Sequence, residues 1–253
     1  MIGMTQRGGV ALAATAVIAV AGSASADISQ TVFSITATLD NGNGPSYMFD
    51  VPYDANNLDG NGNFFWSLGD IVNIVDNNGQ DVFRLETASV VIENNREVPG
   101  NSQSVELNFQ VLASAQNTVF SVDSAVLSFA ALSNSQGRAT AAVTVSDLTG
   151  DGATFTPMGP GAYGSFYNGG TGFQDLITSP ITAAAGSSAT SDDVFPAVGF
   201  ANIGTTLTDI ESSWDFTLSA GDLAAGTSNF EVIPAPASVA LGLVALTGLR
   251  RRR

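Results

Sequence analysis

The segment Asp54 to Asn63 reads Asp-Ala-Asn-Asn-Leu-Asp-Gly-Asn-Gly-Asn. Asn57, Asp59 and Asn61 stand at alternate positions, with Gly62 next. Calcium takes oxygen ligands from carboxylates, amides and carbonyls, and a glycine lets the backbone fold tightly around it. Counted from Asn57, the twelfth position of a calcium loop falls on Leu68, so the bidentate glutamate is missing. Asn, Asp and Gly are also the residues of ordinary turns, so a polar loop between strands is the competing reading. Calcium is the one ion the loop could take, and the sequence implies no other cofactor.

Other chemistry is bounded by what the chain lacks. It has no histidine, no cysteine and no lysine, its eight basic residues all being arginine. Ser-His-Asp and Cys-His nucleophiles are therefore excluded, as are Cys/His zinc sites, Schiff-base lysines and the phosphate-binding lysine of a P-loop. Two carboxylates at a set separation suffice for a glycosidase, but no pair among twenty-three acids is marked out by its spacing. Gly159-Pro160-Gly161-Ala162-Tyr163-Gly164 matches G-x-G-x-x-G by letter, without the strand before it and the helix after it that dinucleotide binding needs. Phe64-Phe65-Trp66 and the group Tyr163, Phe166 and Tyr167 could stack on sugar rings, or could cover the core, where Trp66 and Trp214 are expected.

The elements that must position these residues have period two. Phe33, Ile35, Ala37 and Leu39 alternate with polar neighbours, as do Tyr47, Phe49 and Val51, then Val105, Leu107, Phe109 and Val111, then Trp214, Phe216 and Leu218. Such alternation marks strands with one dry and one wet face. Further strands are expected at 71–75, 82–86, 89–93, 119–123, 126–132, 140–146 and 229–233. Asn-Gly or Asp-Gly pairs, at Asn41, Asn43, Asp59, Asn61, Asn78, Asp151 and Asn168, supply the positive φ of tight turns. Asp76 to Gln80 should close a hairpin, and Ser133 to Gly137 should join another pair. Residues 156–172 read as a long ordered loop or insertion, and 186–193 as a flexible loop; only 181–185 hints at a helix. The fold expected is all-β, an antiparallel β-sandwich, jelly-roll-like, with an N-terminal signal helix and a short C-terminal transmembrane helix.

Both ends look like addresses. Arg7 precedes a run of small apolar residues, Val10 to Ala21, and Ala24-Ser25-Ala26 is an A-x-A site, so residues 1–26 read as a secretory signal peptide cut before Asp27. At the other end Pro234-Ala235-Pro236 is followed by an uncharged stretch from Ala237 to Leu249 and then by Arg250, Arg251, Arg252 and Arg253. Prolines interrupt the preceding structure. With them the apolar stretch reaches about the ~17-residue lower limit of a membrane span, and terminal arginines stay on the cytoplasmic side. Residues 27–231 are left as the β-sandwich body. They hold Arg84, Arg96 and Arg138 against all twenty-three acids, a formal charge of −20. Such a surface repels nucleic acid and anionic lipid.

The order of proline motif, short apolar helix and arginine cluster over 232–253 resembles the PEP-CTERM sorting signal of Gram-negative bacteria, with Ala235 where that signal has glutamate. The resemblance implies export by the secretion machinery through the inner membrane, transient anchoring there, cleavage by an exosortase-type enzyme, and release to the cell surface or matrix amid extracellular polysaccharide. The function expected is structural or adhesive and not enzymatic. A carbohydrate-binding module is the first alternative and a glycoside-processing enzyme the second.

Overall fold

The computed structural model describes residues 27–94 and 102–235. Eighteen strands follow one another: β1 Asp27–Ile28, β2 Thr31–Thr38, β3 Ser46–Pro52, β4 Phe64–Ser67, β5 Val72–Val75, β6 Asp81–Asn94, β7 Gln103–Ala113, β8 Thr118–Ser124 and β9 Leu127–Leu132. The second half holds β10 Ser135–Ser146, β11 Ala153–Pro157, β12 Tyr163–Tyr167, β13 Thr171–Leu176, β14 Ile181–Ala183, β15 Ser188–Phe195, β16 Ala201–Asn202, β17 Leu207–Leu218 and β18 Leu223–Pro234. Among the described residues two 3-10 turns, Asp40–Gly42 and Ala55–Asn57, interrupt the strands. Among the described residues no helix is long and apolar enough to cross a membrane.

The strands form two antiparallel sheets that pack as a β-sandwich. The first runs β1-β9-β17-β8-β2-β3, and β17 also pairs with β11 and β12 along its other edge. The second runs β15-β10-β18-β7-β6-β4. The alternating residues meet between them. Trp214, Phe216 and Leu218 of β17 are wholly buried, as are Phe33, Ile35 and Ala37 of β2 and Val105, Leu107 and Val111 of β7. Aromatic rings bridge the sheets: Phe109 of β7 lies 5.5 Å from Trp214 and 5.6 Å from Phe216, and Phe83 of β6 lies 5.6 Å from Phe120 of β8.

Several local expectations are corrected by long-range pairing. The segments 82–86 and 89–93 are one strand, β6, bent by a bulge between Leu85 and Thr87 that keeps both halves on β7. Ser135 to Gly137 belongs to β10, leaving a turn at Ser133-Asn134. The Gly- and Pro-rich stretch 156–172 holds the end of β11, all of β12 and the start of β13. The small, polar residues 188–195 form edge strand β15, held by eight consecutive pairings to β10, and 181–183 is strand β14 instead of a helix. Composition hid these strands because their order comes from neighbours distant in sequence.

Candidate functional site

The loop proposed for calcium is built around one carboxylate. Asp59 Oδ1 accepts from the backbone N–H of Asn61 and of Asn63, both at 2.8 Å, and Oδ2 accepts from the Asn63 amide at 3.0 Å. The Gly62 N–H donates to the Asp59 carbonyl, and Gly62 has φ +82°. Asn57 lies in the preceding 3-10 turn. Asp76 does the same at the β5–β6 hairpin: it accepts from the N–H groups of Asn78 at 2.7 Å and Gln80 at 2.8 Å, and Gly79 has φ +78°. In each loop these backbone donors, Asn63 foremost for Asp59 and Gln80 for Asp76, hold the carboxyl below its ordinary range. The two loops are thus one turn device used twice. Asp59→Ala and Asp76→Ala should lower the melting temperature alike, with no response to millimolar calcium. A calcium-dependent rise abolished by Asp59→Ala alone would assign that loop a cation.

The predicted termini fall at the margins of the sandwich. Asp27 opens β1 and pairs with Ser128 of β9. Pro234 ends β18 opposite Ser135, and the Ala235 N–H donates to the Asn134 carbonyl at 2.8 Å. Strand pairing therefore runs into the proline motif, and the break expected before it does not occur at Pro234. Ala24, Ala26, Pro236, Ala237, Leu249, Arg250, Arg251, Arg252 and Arg253, with the signal and transmembrane helices, lie outside the described residues.

The sheets bring together acids that no spacing marked. On the outer face of the first sheet Asp123 stands opposite Ser213, with Glu211 and Asp215 two residues to either side of Ser213. A shallow depression of about 220 Å³ holds Asp123, Glu211 and Phe166. Burial, then the charges of Asp215 and Glu211, push the Asp123 carboxyl up to about 6. Burial and Asp209 raise Glu211 as well. This group can hold a proton in mildly acid solution.

A second set joins three turns. Carboxylate oxygens of Asp147, Asp151 and Asp222 lie within 4.8 Å of one another. Asp147, almost fully buried, accepts from the Gly150 N–H at 2.9 Å, the Thr149 N–H and Oγ1 at 3.1 Å, and the Gly186 N–H. Fully buried Asp222 accepts from Ser219 Oγ and, at 3.4 Å, from the Leu148 N–H. Backbone donors, Gly186 foremost, hold Asp147 well below the usual carboxylate range, whereas burial raises Asp222, aided by the charges of Asp147 and Asp151. Each of these carboxylates has a donor from the protein, and the set ties the β10–β11, β14–β15 and β17–β18 turns together. The run Asp147-Leu148-Thr149-Gly150-Asp151-Gly152 carried the local signal for its first part; Gly186 and Asp222 could not be read from sequence.

The aromatic groups divide by face. Tyr163 is wholly buried, its hydroxyl 3.0 Å from Ser212 Oγ, and Trp214 Nε1 donates to Ser228 Oγ at 3.0 Å. Tyr163 is thus core and no platform for a sugar. Trp66 is half-buried against Phe33 at 5.3 Å, Phe64 is buried, and Phe65 is 58% exposed. In the G-x-G-x-x-G match, a Cβ on Gly161 would lie 2.4 Å from the Leu176 carbonyl oxygen, so close backbone approach accounts for that glycine.

Fold and surfaces together define an antiparallel β-sandwich with an acidic exterior. No protein-family model matches the sequence, and no curated protein matches it. Among solved structures, that of infectious bursal disease virus Gt strain matches over 86% of this chain and 68% of that one, at 11% identity and a TM-score of 0.21. Likeness at that level carries no argument about fold or function.

Proposed function

We propose that this chain is an exported structural or adhesive protein of the cell surface or extracellular matrix, tethered for a time to the inner membrane by its C-terminal segment. In this reading residues 1–26 direct secretion, 27–231 are the working body, and 232–253 are a sorting signal removed by an exosortase-type enzyme. A jelly-roll-like course of the sandwich, a signal helix and a short transmembrane helix belong to the same reading. The observation that carries it is the order of the sequence: the small apolar run Val10 to Ala21 with Ala24-Ser25-Ala26 after it, and Pro234-Ala235-Pro236 followed by an uncharged stretch and four arginines. Between them the described residues form a β-sandwich. The core is closed by aromatic packing without cysteine, and a body of this length can be stable outside the cell on packing alone. Intact mass spectrometry of the protein from its native culture should show an N-terminus at Asp27 and loss of the arginine cluster. A mass that retains Met1 and Arg253 would refute processing.

A further inference from the structure

We propose that the outer face of the second sheet carries a binding site for neutral glycans, centred on Ala142. Two rows of side chains cross β15, β10, β18 and β7 there: Val194, Thr140, Asn229 and Glu106, and beside them Asp192, Ala142, Thr227 and Asn108. Ala142 is the one small residue in the two rows, and a depression of about 390 Å³ opens over it. That volume falls within the ~300–1,000 Å³ of small-ligand sites.

Its wall holds two polar atoms that have no partner. Arg138 Nε and Asn229 Oδ1 are shielded from solvent and make no hydrogen bond among the described residues, and both residues line the depression. Buried polar groups are nearly always paired, because an unmade hydrogen bond forfeits the full desolvation cost. Both atoms are closed to a water-sized probe as they stand, so a ligand in the depression pairs with them once the two side chains turn outward. The terminal torsion of asparagine is soft, so its amide can turn toward that ligand.

Charge selects the ligand class. Glu106, Asp192 and Asp193 line the site on a body of charge −20, which disfavours anions. Arg138 offsets one of these charges and supplies guanidinium donors for neutral hydroxyls. The lining mixes the hydroxyls and amide of Thr140, Thr227 and Asn229 with the apolar side chains of Ala141, Ala142 and Val194, a mixture that suits a ring with polar edges and apolar faces. A neutral polyhydroxylated chain donates and accepts at every ring, as these groups require. The proposal names a partner for the adhesive reading and rests on it only for its setting.

The test is calorimetric titration of the full chain, kept in a detergent without a sugar head group, with cellohexaose, maltohexaose, xylohexaose and an alginate hexamer. At least one neutral hexasaccharide should bind, and Ala142→Phe and Asn229→Ala should each weaken it by about tenfold or more at unchanged melting temperature. Should Ala142→Phe not fold, Asn229→Ala alone gives the answer. No neutral binding up to about 10 mM, undiminished binding by the variants, or binding of alginate alone would overturn the site. A chain processed at both ends that binds no neutral glycan sinks this site and leaves the export reading intact.

Discussion

Phe216→Ala is expected to cost about 3–5 kcal/mol of stability and to lower the melting temperature by roughly 6–20 °C. Phe216 has no exposed surface and stands at the middle of the aromatic core. Its ring lies 4.5 Å from Phe155, 5.4 Å from Phe120 and 5.6 Å from Phe109, centroid to centroid. Phe155 and Phe120 belong to strands on opposite edges of β17, and Phe109 belongs to the other sheet. Removing the ring leaves a cavity bounded by three others, each held by its own strand, so the site cannot collapse to fill it. Phe65→Ala is the matched control. That ring is 58% exposed, and its loss should change stability by about 0.5 kcal/mol or less. Thermal melts of the two variants, read by intrinsic fluorescence and circular dichroism, check the contrast. Equal shifts would show that the aromatic stack does not carry the sandwich.

Asp123→Asn should do the reverse and stabilise the protein at neutral pH. The folded state raises this carboxyl from 3.8 to about 6, so it holds the proton more tightly than the unfolded chain does. Below about pH 4 both states are protonated and the fold bears no charge at this site. As pH rises from about 4 to 6 the unfolded chain ionises first, and stability falls. Above about pH 6 the penalty is complete, on the order of 2–3 kcal/mol. Asparagine removes that penalty and relieves the repulsion from Asp215 and Glu211, so its gain should appear at pH 7.5 and vanish near pH 3.5. Urea unfolding at the two pH values measures it, and a gain of equal size at both would rule out the charge explanation. Asp59, Asp76 and Asp147 have the opposite sign. Their contribution is present above the ordinary carboxylate range and is lost as pH falls below it. Stability is therefore expected to peak in mildly acid solution.

An acid kept at a cost to stability is a frequent mark of a site that does something. Asp123 is such an acid, set in a depression beside Phe166. The glycan site proposed over Ala142 is on the other sheet and does not use it. The two faces can be tested separately, since Asp123→Asn leaves every group around Ala142 unchanged.

What could be read along the chain was whatever repeats within a few residues. Alternation placed Phe33, Leu107, Trp214 and Phe216 in the core, because successive side chains on a strand must point to opposite faces whatever the partner strand is. Asp76-Asn77-Asn78-Gly79-Gln80 announced its hairpin, because an aspartate, its own following N–H groups and a glycine of positive φ complete the turn among themselves. The same local grammar made Asn57, Asp59 and Asn61 resemble a calcium loop, since turn and cation site draw on the same residue types. The address-like ends are legible for a similar reason, being defined by runs of apolar and charged residues.

Tertiary structure alone decided the rest. Strand β14 is only three residues long and β15 is mostly small and polar, and only pairing with β11 and β10 makes them strands. Tyr163 sits in a Gly-rich stretch that reads as a long ordered loop or insertion, yet β17 and its serines draw it into the core. Asp123 meets Glu211 and Asp215, Asp147 meets Gly186 and Asp222, and Asn229 meets Thr140 and Glu106 across gaps of 39 to 123 residues. Burial and charge at those meetings depend on through-space distance, which a one-dimensional pattern of residues does not contain.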